Sequence, residues 1–229
     1  MTKNKILMVR GFDTDNIKTN DTYANIHTVL SQNVNNDITY FSYSQDEDIA
    51  NVYKRLCKVL KYNDFTHLVG HSMGGAMLVR FMYDHPKNIS KYKQVILLMA
   101  LIYKTPFNRF IFRIPLVRNI SLPNAVILPS ARIYSTGNIL NDGLKFSKMK
   151  QPVDVYKKIM FDSDVLVNVL NKNKSNTVLF YAREERITPV PQRVLKKIMN
   201  KKYVNGLHEC FNSLETVKGF FEKFLPYFE

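Results

Sequence analysis

From Phe65 to Phe81 the chain reads FTHLVGHSMGGAMLVRF, and this stretch limits the possible folds more than any other. An apolar run suited to a buried strand, FTHLV, passes within a few residues into GAMLVRFMYDH, whose apolar spacing is that of a helix. Three of the chain's eight glycines, Gly70, Gly74 and Gly75, sit in the reversal between them. A strand that turns so sharply into a helix forces the residue at its apex, Ser72, into a strained backbone conformation. Gly70 and Gly74 are expected to permit the turn, and Gly75 to seat the helix against the sheet. The pattern Gly70-x-Ser72-x-Gly74 is the G-x-S-x-G of a nucleophile elbow, which stands a serine at the carboxyl end of a parallel sheet.

The remaining chain supplies the rest of such a sheet. Lys5 to Val9 is a continuous apolar run, as in a strand buried on both faces. Asn20 or Asp21 can cap a helix in which Tyr23, Ile26, Val29 and Leu30 share a face. Ile38 to Tyr43 is β-branched and aromatic, hence a strand, and Asp46 to Lys61 follows as an amphipathic helix. Further strands are predicted at Gln94 to Leu101, Thr177 to Tyr181 and Lys201 to Val204. A last helix opens at the capping-box pair Asn212 and Glu215 and buries Val217, Phe220, Phe221 and Phe224. Strand and helix alternating in this way predict an α/β chain forming one domain over 1–229. Its sheet is doubly wound and mostly parallel, of about six strands, with right-handed crossovers.

Residues 102–176 are too long for a simple crossover, which needs a dozen to about thirty. Their last part, Val153 to Leu170, is one helix or two with a break near Asp162-Ser163. Residues 103–150 hold four of the nine prolines, so short helices and turns are expected there. This insertion reads as a helical cap that offers Phe107, Phe110, Ile111, Phe112 and Ile114 to an apolar ligand.

A serine hydroxyl is a weak nucleophile until a base removes its proton, and in this fold class the acid and then the histidine follow the serine in the chain. Of five histidines, His27, His67 and His85 read as structural, and His71 lies inside the elbow with its side chain directed away from the nucleophile. His208 follows the last strand and belongs at the same sheet edge as Ser72, which makes it the candidate base. After the fifth of the predicted sheet strands, Thr177 to Tyr181, either Glu184 or Glu185 can orient that imidazole. The N–H of Met73 is one oxyanion donor, and the turn Arg10-Gly11-Phe12 offers a second at the Phe12 N–H.

Composition narrows the setting. Two cysteines make no disulfide framework, no zinc-type spacing is present, and free thiols suit a reducing compartment. The apolar run near the N-terminus is shorter than the 7–15 residues of a signal-peptide core, and Val95 to Tyr103 is far below the ~20 residues of a membrane span, so a cytoplasmic protein is expected. The net charge of +14 is spread over scattered lysines rather than a basic run, and no nucleic-acid motif accompanies it. If it serves a partner, an anionic membrane surface fits better than nucleic acid.

These pieces together resemble an α/β-hydrolase of the lysophospholipase and monoacylglycerol-lipase type. The likeness rests on Gly70-His71-Ser72-Met73-Gly74-Gly75, Arg10-Gly11-Phe12, Glu185-Arg-Ile-Thr-Pro189 and His208-Glu209-Cys210-Phe211-Asn212. It implies a serine hydrolase cleaving carboxylic esters of fatty acyl lipids through an acyl-enzyme, with no cofactor. It also implies Glu185 rather than Glu184 as the acid, in a place where the family has aspartate. The chain starts at what resembles the family's third strand, so a reduced fold is expected. An acyltransferase or thioesterase with the same triad, and a non-catalytic ligand-binding protein, are the competing expectations.

Overall fold

The computed structural model describes residues 3–11, 23–44, 47–100, 104, 122–123, 148–149, 158–185, 190–208, 210–211 and 216–229. In chain order its strands are β1 (Asn4–Val9), β2 (Asn36–Phe41), β3 (His67–His71), β4 (Gln94–Leu98), β5 (Leu122–Pro123), β6 (Lys148–Met149), β7 (Thr177–Ala182) and β8 (Lys201–Val204). Six of them form one sheet in the order β2-β1-β3-β4-β7-β8, and every pairing in it is parallel. The apolar runs explain the positions. β3 is buried at all five residues and lies inside the sheet, whereas β2 at the edge alternates between half-buried and exposed positions up to a buried Phe41.

The α-helices among the described residues are α1 (Ala24–Ser31), α2 (Ile49–Tyr62), α3 (Met73–Asp84), α4 (Ser163–Lys172), the short α5 (Gln192–Leu195) and α6 (Val217–Phe224). Two apolar layers cover the sheet. One is built from Val52, Leu56 and Leu60 of α2, Met77 and Phe81 of α3, and Leu166 and Leu170 of α4. The other packs Ile26 and Leu30 of α1 with Phe220 and Phe224 of α6. A doubly wound sheet with helices on both faces is the architecture read from the sequence.

Element boundaries differ where caps decide them. α2 starts at Ile49 because the Asp48 carboxylate accepts from the N–H groups of Ala50 (2.7 Å) and Asn51 (3.0 Å). α4 starts at Ser163, so the chain does break at Asp162-Ser163. α6 has Thr216 as its N-cap. Its hydroxyl donates to the Cys210 carbonyl at 2.6 Å and leaves the helix N-terminus uncapped by that side chain. Asn20, Asp21, Asn212 and Glu215 lie outside the described residues.

In the long insertion, where short helices and turns are expected, the described residues include one antiparallel pairing, of Leu122–Pro123 with Lys148–Met149. A proline is tolerated in so short an edge pairing, because few ladder bonds depend on its missing N–H. The Lys104 N–H donates to the Phe161 carbonyl at 3.0 Å, so the chain leaves and rejoins the sheet layer at one place. Phe107, Phe110, Ile111, Phe112 and Ile114 lie outside the described residues.

The chain steps from β1 outward to β2 and then back across to β3 on the other side of β1. The gap between the carboxyl ends of β1 and β3 is therefore the switch point of the sheet, where open α/β sheets bind their ligands. The Gly11 turn ends β1 and the Ser72 turn ends β3, so both open there.

Candidate active site

Ser72 has φ 52° and ψ −120°, a conformation that L-residues rarely adopt. Such strain costs on the order of 1–3 kcal/mol and persists only where the surroundings over-determine it. Here the Ser72 N–H donates to the Leu98 carbonyl of β4 at 2.9 Å, and its own carbonyl accepts the Ala76 N–H at 3.1 Å. The apex is thus tied to a neighbouring strand on one side and to the first turn of α3 on the other. Met73 opens that helix, and its N–H is among the four that a helix leaves without an internal acceptor.

The three glycines divide the work differently from the sequence expectation. A Cβ on Gly70 would meet Leu78 Cδ1 at 2.7 Å and Gly75 Cα at 2.8 Å, so Gly70 and Gly75 together let strand and helix touch. Gly74 has another neighbour: its Cβ would fall on the Val9 carbonyl and 2.5 Å from that of Arg10. It seats the start of α3 on the end of β1. Gly11 is closely packed too, though less tightly, with a Cβ position 3.3 Å from Ser72 Cβ and 3.2 Å from His71 Nδ1. The turn after β1 therefore lies directly against the serine.

His208 and Glu185 come from the turns after β8 and β7. Those turns are stitched by backbone bonds, Arg183 N–H to the Val204 carbonyl (2.9 Å) and Glu184 N–H to the Gly206 carbonyl (3.1 Å). Gly206 supplies the left-handed bend, at φ 99°. His208 Nδ1 lies 2.8 Å from Glu185 Oε2, and both side chains are almost wholly buried. A carboxylate only accepts, so Nδ1 carries the proton and donates, which places the ring's other lone pair on Nε2. Glu184, by contrast, is exposed.

His71 links these turns. Its Nδ1 is 2.9 Å from the Tyr23 hydroxyl, and its Nε2 is 3.3 Å from the His208 carbonyl. Its ring centroid stands 4.9 Å from that of His208. Tyr23 also accepts the Gly11 N–H at 2.7 Å. The Arg10 guanidinium lies 4.6 Å over the Tyr23 ring, and its buried Nε has no hydrogen-bond partner among the described residues. Burial holds His71 well below the ordinary histidine range, with the neighbouring His208 adding to the effect. The sequence placed Tyr23 on a core face and His71 away from the nucleophile; no local pattern indicates that they bond each other.

The other histidines are occupied elsewhere: His27 with the Tyr40 hydroxyl, His67 with Thr66 Oγ1, and His85 against the Phe81 ring. Burial, then Lys93, lowers His67 to about 4. Both His67 and His71 have folded values below the unfolded 6.5, so the unfolded chain binds more protons once the pH drops below that. Stability is therefore expected to fall with acid, by at most about 1.4 kcal/mol per histidine per pH unit below 6.5. Urea midpoints at pH 7 and pH 5 check this; an equal or higher midpoint at pH 5 contradicts it.

Phe12 lies outside the described residues, as do Arg186 to Pro189. Among the described residues, then, the structure gathers the Ser72 turn, the Gly11 turn, Met73, His208 and Glu185, and leaves Glu184 in solvent.

No protein-family model matches the chain, and no curated protein matches it. Solved structures do. A structure from work on LipS and LipT, two metagenome-derived lipolytic enzymes, aligns over 99% of this chain and 93% of its own at 13% identity, with a TM-score of 0.60. Est1E from Butyrivibrio proteoclasticus, in complex with ferulic acid, aligns over 98% and 88% at 14% identity, with a TM-score of 0.59. The thioesterase domain of the curacin biosynthetic pathway aligns over 90% and 86% at 12% identity, with a TM-score of 0.53. The chain has the α/β-hydrolase fold.

No helix among the described residues is long and apolar enough to cross a membrane.

Proposed function

We propose that this chain is a serine hydrolase that cleaves carboxylic esters, with Ser72, His208 and Glu185 as its triad. The observation that carries the reading is the buried 2.8 Å contact of His208 Nδ1 with Glu185 Oε2, at the sheet edge where Ser72 stands with positive φ. In the reaction His208 Nε2 takes the Ser72 hydroxyl proton as Oγ attacks the ester carbonyl. Glu185 stabilises the imidazolium that forms. The oxyanion rests on the Met73 N–H and on the Phe12 N–H. The Gly11 N–H is given to the Tyr23 hydroxyl and does not serve as that donor. His208 then protonates the leaving alcohol and activates the water that releases the acid.

The substrates proposed are fatty acyl lipids of the monoacylglycerol or lysophospholipid kind, with the insertion over 103–150 as the acyl-chain cap. Burying an acyl chain there contributes about 25 cal/mol per Å² removed from water. A fluorophosphonate probe tests the chemistry: the adduct is expected on Ser72 and is absent from Ser72→Ala. An unlabelled wild type, or an adduct on another residue, overturns the reading. Rates on p-nitrophenyl esters are expected to rise from acetate towards longer chains, and activity confined to acetate and butyrate contradicts the cap. The same acyl-enzyme can serve a thioesterase, a reading favoured by the fold likeness to a thioesterase domain; faster turnover of acyl thioesters than of matched oxyesters would select it.

A further inference from the structure

Two turns have to hold their places for the proposed reaction: the one after β1, which carries the second oxyanion donor, and the one carrying His208. They come from opposite ends of the chain and share no strand pairing. A file of hydrogen bonds runs between them: Gly11 N, Tyr23 hydroxyl, His71 Nδ1 and Nε2, His208 carbonyl. Each of its members sits in a buried setting.

The direction of every proton in that file follows from its two ends. The His208 carbonyl can only accept, so the His71 nitrogen facing it, Nε2, carries a proton. A neutral imidazole has one N–H, so Nδ1 is an acceptor. The Tyr23 O–H therefore donates to Nδ1, and its oxygen lone pair accepts the Gly11 N–H. No alternative order fills all the bonds with a neutral ring. Among the described residues, the titratable groups facing His71 are Tyr23 from the start of α1, and His208 with its partner Glu185; Arg10 reaches it only through the Tyr23 ring. None is an acid bonded to His71, and burial disfavours the charged ring.

Packing fixes the same parts. Phe211 lies 6.1 Å from the Tyr23 ring, nearly parallel to it, and stands edge-on to His71 at 5.1 Å. Asn25 Nδ2 donates to the Phe211 carbonyl at 3.1 Å, a second tie between α1 and the His208 turn.

We propose that Tyr23 and His71 form a proton-ordered strut that sets the turn after β1 and the His208 turn at a fixed separation, and that both are positioning residues for ester cleavage. This rests on the hydrolase reading above. Neither residue touches the reacting atoms. A misplacement of about 1 Å between catalytic groups can lower a rate on the order of a hundredfold, so a strut here acts on kcat.

The test separates the strut from simple space filling. Tyr23→Phe keeps the ring and removes the one hydroxyl that serves both neighbours. It is expected to lower kcat on a p-nitrophenyl ester by roughly 10- to 100-fold with KM within about threefold. His71→Gln keeps an amide donor and acceptor, and His71→Phe keeps only bulk. The expected order of kcat is wild type, then His71→Gln, then His71→Phe. A Tyr23→Phe enzyme within twofold of wild type, or His71→Phe equal to or faster than His71→Gln, overturns the strut. ¹⁵N-histidine spectra of the wild type give a readout that needs no variant to fold and no activity. His71 is expected as the neutral Nε2–H tautomer at pH 7, and the Nδ1–H tautomer or a charged ring overturns the strut. A wild type that fluorophosphonate does not label defeats the hydrolase reading instead, and the tautomer then decides the strut by itself.

Discussion

Glu185→Gln is expected to lower kcat/KM by roughly 10³- to 10⁴-fold, and Glu184→Gln to leave it within twofold. The two side chains are adjacent in sequence and opposite in surroundings. Glu185 is buried against the imidazole of His208, and Glu184 faces water. In the proposed mechanism the imidazole becomes an imidazolium as Ser72 attacks. A buried carboxylate beside it stabilises that charge strongly because little water screens the pair. Glutamine keeps the volume and one acceptor oxygen but lacks the charge, and its amide N–H₂ can turn to the ring and favour the wrong tautomer. An exposed carboxylate interacts through high-dielectric solvent, so its loss shifts the site little. The measurement is steady-state hydrolysis of one p-nitrophenyl ester by both variants, with circular dichroism to show that each is folded. Loss of activity in Glu184→Gln with retention in Glu185→Gln would reassign the acid.

Gly74→Ala is expected to destabilise the fold by more than about 4 kcal/mol, a large part of the 5–15 kcal/mol that holds a domain together. The added methyl group would fall on the Val9 carbonyl oxygen, with the Arg10 carbonyl 2.5 Å away. Both obstacles are backbone, so no side-chain rotation relieves the clash; either the start of α3 or the end of β1 has to move. Either movement would also displace Ser72 relative to Gly11. Gly219→Ala supplies the comparison. That glycine lies within α6 and is exposed, and nothing stands within 4 Å of an added Cβ. Alanine there is expected to stabilise by about 0.5–1 kcal/mol through the restricted unfolded chain and better helix propensity. Urea midpoints of the two variants decide the matter. A Gly74→Ala midpoint within the error of wild type would show that the contact between α3 and β1 is looser than this packing requires.

Much of the architecture is legible from local pattern. Apolar runs such as KILMV and QVILLM mark strands because buried parallel strands have no solvent face. The spacing of Val52, Leu56 and Leu60 marks α2 because a helix turns once in 3.6 residues. The elbow is legible for the same reason: strand, glycine-flanked serine and helix are contiguous, so their geometry is a local matter. Caps were harder to read. At α6 the Thr216 hydroxyl goes to the Cys210 carbonyl, a bond between residues six apart that no local pattern announces. The insertion holds a pairing that its composition does not announce. Its prolines exclude a long helix but do not exclude the short antiparallel pairing of Leu122–Pro123 with Lys148–Met149.

What the sequence determined by itself is therefore what neighbours along the chain settle among themselves: the order of strands and helices, the strained serine between β3 and α3, and a histidine just past the last strand. The tertiary structure decided which residues meet. The contact of His208 with Glu185 rather than Glu184, which the resemblance already implied, follows from the parallel pairing of β7 with β8 and the backbone bonds between their turns, with one glutamate buried and the other exposed. The duty of Gly74 comes from β1, far away in sequence. The bond between Tyr23 and His71 spans 48 residues and appears in no periodicity. Periodicity reports the face on which a side chain lies; its partner across the sheet edge is set by the register of strands that find each other only in the folded chain.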